Sequence, residues 1–315
     1  MKNIKRLFVV CLVILVSYAN VQAMLSRDNI GTSTAQFLKL GIGAESAGMG
    51  NAVTGVANGT DSIYWNPANL NYLKKIEFSF SHTMWFENVN YEWFAVAIPT
   101  EKLGTFGLGL QYVSYGRLDR VDRTGTLDGS FSPLDMAGYL SYANMYKKLK
   151  FGFNLKYIYS KIENSASAFA VDMGTTYNLG NNRTSIGATI SNLGQDMKFN
   201  YKSEHLPLLF KVGVSHFLLE QLLVALDLNF PRDNEAYVNA GTEYRFVVAN
   251  NTAFALRAGY EGRNKDIPGF NWINLGFGLK YLDYSFNYAF VPYGDIGMTH
   301  RFSLSVKLGK DIERK

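Results

Sequence analysis

The chain has 315 residues, of which 47% are hydrophobic and 15% aromatic, yet its mean hydropathy is only −0.06. A helical inner-membrane protein would be greasier and would carry continuous apolar runs of about 20 residues, and none follows the leader. The formal charge of +5 comes from 31 basic and 26 acidic residues; three of the basic ones lie in the leader, leaving 28 against 26, and no basic run points to nucleic acid.

The first 23 residues read as a secretory signal peptide. Lys2, Lys5 and Arg6 make a positive start, and Leu7 to Val16 form an apolar core of about ten residues, too short to span a bilayer as a helix. Val21-Gln22-Ala23 is a small-residue cleavage signature, so the mature chain is expected to begin at Met24. An uncleaved anchor would need about 20 apolar residues. The one cysteine, Cys11, lies in this leader, so disulfides, thiolate catalysis and Cys-ligated metals are excluded from the mature chain.

Residues 24–75 do not read as strands. Gly41 to Gly59 is rich in Gly and Ala, with Met49, Val53 and Val56 at helical spacing. Downstream, Asn66 before Pro67 is a helix start, with Asn66 as N-cap and Pro67 at the first helical position. This segment is expected to be a compact plug of short helices. A separate periplasmic arm is the other reading.

From Ile76 to Leu308 about ten residues of apolar/polar alternation recur between turns. Phe151, Phe153, Leu155, Tyr157 and Tyr159, for example, alternate with Gly152, Asn154, Lys156, Ile158 and Ser160. Alternate side chains of a strand face opposite ways, so each segment has one oily face and one largely small or polar face. Strands are expected near 76–86, 91–99, 104–116, 134–146, 150–162, 167–179, 183–193, 207–217, 221–231, 236–247, 251–261, 271–281, 283–291 and 299–309. About fourteen strands behind an export signal, rich in Tyr and Phe, point to an all-β transmembrane antiparallel barrel. The expected organisation is 1–23 signal peptide, 24–75 N-terminal hatch, 76–309 barrel and 310–315 tail. The expected location is the outer membrane of a diderm bacterium, with membrane lipid as a partner.

Connection lengths support this. Tight turns such as Lys147-Lys148-Leu149, Gly180-Asn181-Asn182 and Val248-Ala249-Asn250 alternate with longer loops at Arg117–Ser132, Gly194–Leu206, Glu261–Phe270 and Pro292–Met298. Short periplasmic turns and longer external loops are the barrel rule. The lipid face is expected to carry Phe106/Leu108/Leu110/Tyr112, Leu222/Val224/Leu226/Leu228, Ile273/Leu275/Phe277/Leu279 and Tyr284/Phe286/Tyr288/Phe290. Lys156, Lys280 and Lys307 then all point inward, as a penalty of about 2–4 kcal/mol for a Lys or Arg at mid-bilayer demands. Fourteen strands enclose more space than wall side chains can fill, so either a plug or an open pore must follow.

No catalytic motif stands out. The histidines are His82, His205, His216 and His300, none at metal-ligand spacing. His82 and His300 lie on the first and last strands, which neighbour one another in a closed barrel, so a shared site with Ser81 or Ser303 is conceivable; strand-end roles are the simpler reading. No enzyme activity, metal or cofactor is expected.

Gly48-Met49-Gly50-Asn51-Ala52, then Asp61, then Tyr64-Trp65-Asn66-Pro67-Ala68-Asn69-Leu70, resembles the N-terminal hatch of the FadL-like outer-membrane barrels. The chain's close, Gly297-Met298-Thr299-His300-Arg301-Phe302-Ser303-Leu304, looks like the last strand of the PorV/PorQ branch. The resemblance spans essentially the whole mature chain. It implies a fourteen-stranded barrel with a hatch in its lumen, where Trp65, Asn66, Pro67 and Ala68 would sit. It implies passive transport of hydrophobic compounds such as long-chain fatty acids, or, for PorV/PorQ-like members, the handling of exported cargo in type IX secretion with secretion-system proteins as partners. A kinked third strand opens a side window in such transporters, and Gly104, Gly107, Gly109 and Gly116 would permit a bend here, or simply make room for the plug. For a hydrophobic ligand, candidate lumen contacts are Met49, Leu70, Val113, Ile158 and Leu223, with Lys156, Arg257 or Lys280 holding a carboxylate.

Overall fold

The computed structural model describes residues 29–56, 58–180, 183–199 and 202–313. The expected signal peptide, its cleavage point and Cys11 lie outside the described residues, as do Asn181 and Asn182 of one tight turn.

Among the described residues no helix is long and apolar enough to cross a membrane. The strands are β1 (Ile76–Met84), β2 (Asn90–Pro99), β3 (Thr105–Ser114), β4 (Leu118–Val121), β5 (Leu127–Phe131), β6 (Leu134–Tyr146), β7 (Leu149–Lys161), β8 (Ser165–Asn178) and β9 (Thr184–Gly194). They continue as β10 (Met197–Phe199), β11 (Lys202–Glu204), β12 (Leu209–Phe217), β13 (Leu222–Pro231), β14 (Tyr237–Ala249), β15 (Thr252–Glu261), β16 (Asn274–Tyr281), β17 (Tyr284–Pro292) and β18 (Met298–Leu308). Fourteen of them form one closed antiparallel barrel, in which β1 pairs with β18 from Ile76↔Leu308 to Met84↔His300. Closure leaves no edge, so each strand of the wall has a hydrogen-bonded neighbour on both sides.

The barrel strands coincide with the fourteen read from alternation, with ends that differ by up to about three residues. Two further hairpins, β4–β5 and β10–β11, stand in segments expected to be plain loops. Alternation could not reveal β4–β5, because every residue from Leu118 to Ser130 is exposed on both faces. A turn holds this hairpin together: Asp122 Oδ1 accepts from the backbone N–H of Thr124 at 2.8 Å and of Thr126 at 2.9 Å.

Burial follows the expected faces. Leu108, Leu226, Leu275 and Tyr284 are exposed on the outside of the wall, as a lipid-facing band requires. Gln111, Asp227, Asn274 and Ala289 on the alternate positions are buried within. Ile273 of the expected outward set falls one residue before β16.

The lumen is filled by the chain's own N-terminal part. It comprises a one-turn helix Ala44–Gly48, a second at Ser62–Trp65 and a 3-10 stretch Pro67–Tyr72. Asn66 caps this last element as expected: its side chain accepts from the Ala68 N–H at 3.1 Å, with Pro67 in first position. The helical spacing of Met49, Val53 and Val56 does not become a helix. Gly50 and Asn51 both sit at φ 60°, in the left-handed region, and stop the first helix at Met49.

Tight packing explains that stop. A Cβ on Gly259 of the wall would lie 2.0 Å from the Gly50 nitrogen, and one on Gly152 would lie 2.3 Å from the Pro67 carbonyl carbon. Only glycine lets the wall backbone touch the plug backbone at these points.

Candidate functional site: the plugged lumen

Wall polar groups hold the plug along its length. Thr54 donates its N–H and hydroxyl to Asp227, at 3.0 and 2.6 Å. Asn51 Nδ2 donates to Glu261 at 2.9 Å, the Thr60 N–H to Glu77 at 3.0 Å, and the Ala44 N–H to Ser303 Oγ at 2.8 Å. In the other direction, Asn154 Nδ2 donates to the Ile63 carbonyl at 2.7 Å and Gln111 Nε2 to that of Phe37 at 2.8 Å. Charged and amide side chains at inward strand positions thus satisfy a plug with little regular structure, as buried backbone requires.

Polar spaces flank the plug on both sides among the described residues. The outer one, about 30 Å³, is lined by Trp65, Lys156, Asp172, Lys211, Glu261 and Arg263 among others, and has room for about one or two waters. The inner one, about 230 Å³, lies toward the tight-turn end of the barrel between Glu45, Asp61, Glu77, Arg257, Lys280 and Lys307. Between them Ile63, Trp65, Ala68 and Leu70 are buried in the plug, and no apolar tunnel joins the two spaces among the described residues.

Asp61 is the titratable centre of the plug. Burial, followed by the negative charges of Glu45 and Glu77, pushes its carboxyl up to about 8. Its Oδ1 accepts from Trp93 Nε1 at 3.1 Å. Near neutral pH the group is therefore largely protonated.

The hatch residues expected from sequence come together. Asn66 Nδ2 donates to the Thr54 carbonyl at 2.7 Å and to Thr176 Oγ1 of the wall at 3.0 Å, and Trp65 Nε1 donates to the Ile42 carbonyl at 3.1 Å. Pro67 and Ala68 are buried against β7 and β8. Met49, Leu70, Val113, Ile158 and Leu223 are buried in the apolar cluster where plug meets wall, and they line neither polar space.

The three candidate cations differ. Lys156 Nζ is 2.7 Å from Asp172 and also bonds Asn192. Arg257 is tied to Glu243 at 2.7 Å, to Asn287 at 2.9 Å and to Glu45 at 3.4 Å. Lys280 lines the inner space and makes no hydrogen bond or ion pair among the described residues.

Asp172, Lys211 and Glu261 take part in the lumen although the sequence does not single them out. The signal available for each is a charge at an inward position of an alternating strand. Two further expectations meet the geometry. The β3 ladder is unbroken, from Asn90↔Ser114 to Pro99↔Thr105 with β2 and from Thr105↔Ala143 to Ser114↔Leu134 with β6, so its glycines introduce no bulge. Gly107 and Gly109 instead make room for Ile63 of the plug. His82 and His300 face outward while Ser81 and Ser303 face inward, bonded to each other at 2.7 Å, so the four form no shared site.

No family model matches the chain, and no curated protein does. Among solved structures, the toluene transporter TodX of Pseudomonas putida superposes with a TM-score of 0.56 at 12% identity, over 84% of this chain and 96% of its own. The toluene transporter TbuX of Ralstonia pickettii gives 0.57 at 13%, over 85% and 99%, and the monoaromatic hydrocarbon channel CymD gives 0.57 at 13%, over 86% and 98%. At this identity the likeness concerns the fold alone, which in this chain is a closed fourteen-stranded antiparallel barrel with its N-terminal segment folded into the lumen.

Proposed function

We propose that this protein is an outer-membrane barrel of FadL type through which small hydrophobic molecules pass without an energy source. The observation that carries this reading is the closed barrel whose lumen is blocked by a plug held through individually modest hydrogen bonds, in a fold shared with transporters of toluene. Such bonds are worth about 0.5–3 kcal/mol net each, so shifting part of the plug costs less than opening the continuous ladder of the wall. Residues 1–23 would direct export, 24–75 form the hatch, 76–309 the barrel and 310–315 the tail.

An unpaired cation in the inner space supports a fatty acid as one cargo. A long-chain fatty acid would lay its carboxylate on Lys280, the cation there that is not already paired. Reconstituted vesicles should then take up a labelled fatty acid or toluene faster than protein-free vesicles, and Lys280→Glu should slow the acid but not toluene. Uptake equal to that of empty vesicles for both would remove the transport reading.

A second reading, the PorV/PorQ-type role in type IX secretion, is favoured by one observation: the spaces beside the plug are polar and offer no continuous greasy path. In that role the barrel would handle exported proteins, and affinity capture from native membranes would recover them with secretion components.

A further inference from the structure

The inner space of about 230 Å³ carries hydrogen-bond donors that the protein leaves largely unused. They come from three adjacent strands. Lys280 of β16 is paired with Ser285 of β17, and Ser285 with Ser305 of β18, so the three residues form one row on the inner face. Side chains directly opposite on paired strands stand about 5 Å apart, which makes the row about 10 Å long. Lys307 lies two residues beyond Ser305 on the same face of β18, about 7 Å nearer the turns. All four line the space.

The charges around this space do not balance. Arg245 and Arg257 share Glu243, at 2.6 and 2.7 Å, and Arg257 also meets Glu45 at 3.4 Å. Lys307 is 3.4 Å from Glu77 Oε2, an ion contact without a hydrogen bond. Asp61 is largely protonated near neutral pH. Four cations thus face the three carboxylates of Glu243, Glu45 and Glu77, and the cation left over is Lys280. Neither its ammonium nor the hydroxyls of Ser285 and Ser305 have a partner among the described residues. Lys280 is also exposed, so the row is reached from the tight-turn end of the barrel without any movement of the plug.

We propose that the inner space is a phosphate-binding site, with Lys280, Ser285 and Ser305 as its base and Lys307 closing it on the turn side. A carboxylate prefers its donors near the plane of its two oxygens, whereas these donors come from a row and from a lysine outside that row. A phosphate group offers three acceptor oxygens in different directions and up to two negative charges, which answers two ammonium groups and two hydroxyls. The plug blocks the lumen above the site, so the ligand is small and water-borne: inorganic phosphate or a small phosphomonoester. The inference concerns the plugged barrel and needs no passage of cargo, so it stands apart from the transport reading.

Isothermal titration of the intact barrel in a non-ionic detergent tests this. The buffer is phosphate-free and holds about 0.15 M salt, which screens exposed charges beyond about 8 Å. Inorganic phosphate and glycerol phosphate should each saturate one site, and both should bind roughly tenfold more tightly than acetate, the worth of one further hydrogen bond to a charged group. Lys280→Met should weaken phosphate by about tenfold or more. Ser285→Asp, which puts a carboxylate opposite Lys280, should abolish binding. Lys102→Met, in an exposed turn outside the space, should leave it unchanged. Heat-modified gel mobility checks that the variants fold. Absence of saturable phosphate binding, acetate bound as tightly as phosphate, or undiminished phosphate binding by Lys280→Met overturns the proposal.

Discussion

Asp227 and Thr54 form the latch between wall and plug. One carboxylate oxygen takes both the backbone N–H and the hydroxyl of Thr54, and both residues are buried. The Thr54 carbonyl in turn accepts from Asn66, so the latch reaches directly into the Asn-Pro-Ala segment.

Asp227→Ala should loosen the plug. It leaves the Thr54 N–H and hydroxyl without partners, at about 1–3 kcal/mol for each group left unsatisfied in the interior. Hydrogen exchange across residues 44–70 should rise while the barrel strands stay protected. Asp227→Asn, which keeps shape and an acceptor, should have a smaller effect.

Steric fit gives a second test. Gly152→Val drives a side chain into the Pro67 carbonyl, whereas Gly138→Val points into open space on the other face. The first should destabilise plug docking by about 1–3 kcal/mol, in the range for overpacking, and raise leak current. The second should change neither.

Plug docking should weaken with rising pH. Asp61 has an ordinary value near 3.8 when exposed and about 8 when docked, so between those limits the docked state holds a proton that the undocked state has released. An acid whose value is raised on docking favours docking at low pH and loses that contribution as pH climbs through the window. Protease cleavage within the plug should therefore be slower at pH 5 than at pH 9. Asp61→Asn should flatten the difference, and an unchanged profile would count against the buried-acid assignment.

The lipid face can be tested by charge. Leu226 is exposed at mid-strand on β13, opposite Ala240. Leu226→Arg should cost about 2–4 kcal/mol of folding free energy in vesicles, read from urea titrations.

Strand number, pairing faces and the inward lysines were legible because alternation with period two is written directly into sequence. The Asn66–Pro67 cap was legible for a local reason too, since N-capping involves only neighbouring residues. Two things were not. The left-handed Gly50 and Asn51 override the helical spacing around Met49, because backbone contact with Gly259 selects their conformation. Partners such as Asp227 for Thr54 are 173 residues apart, and no local pattern encodes such a match.

Single-channel current through planar bilayers tests the central claim most directly. The intact protein should conduct poorly, because residues 44–70 fill the lumen, and a variant lacking those residues should form an open, stable pore. Equal conductance of the two proteins, whether high or low, would contradict a plugged barrel.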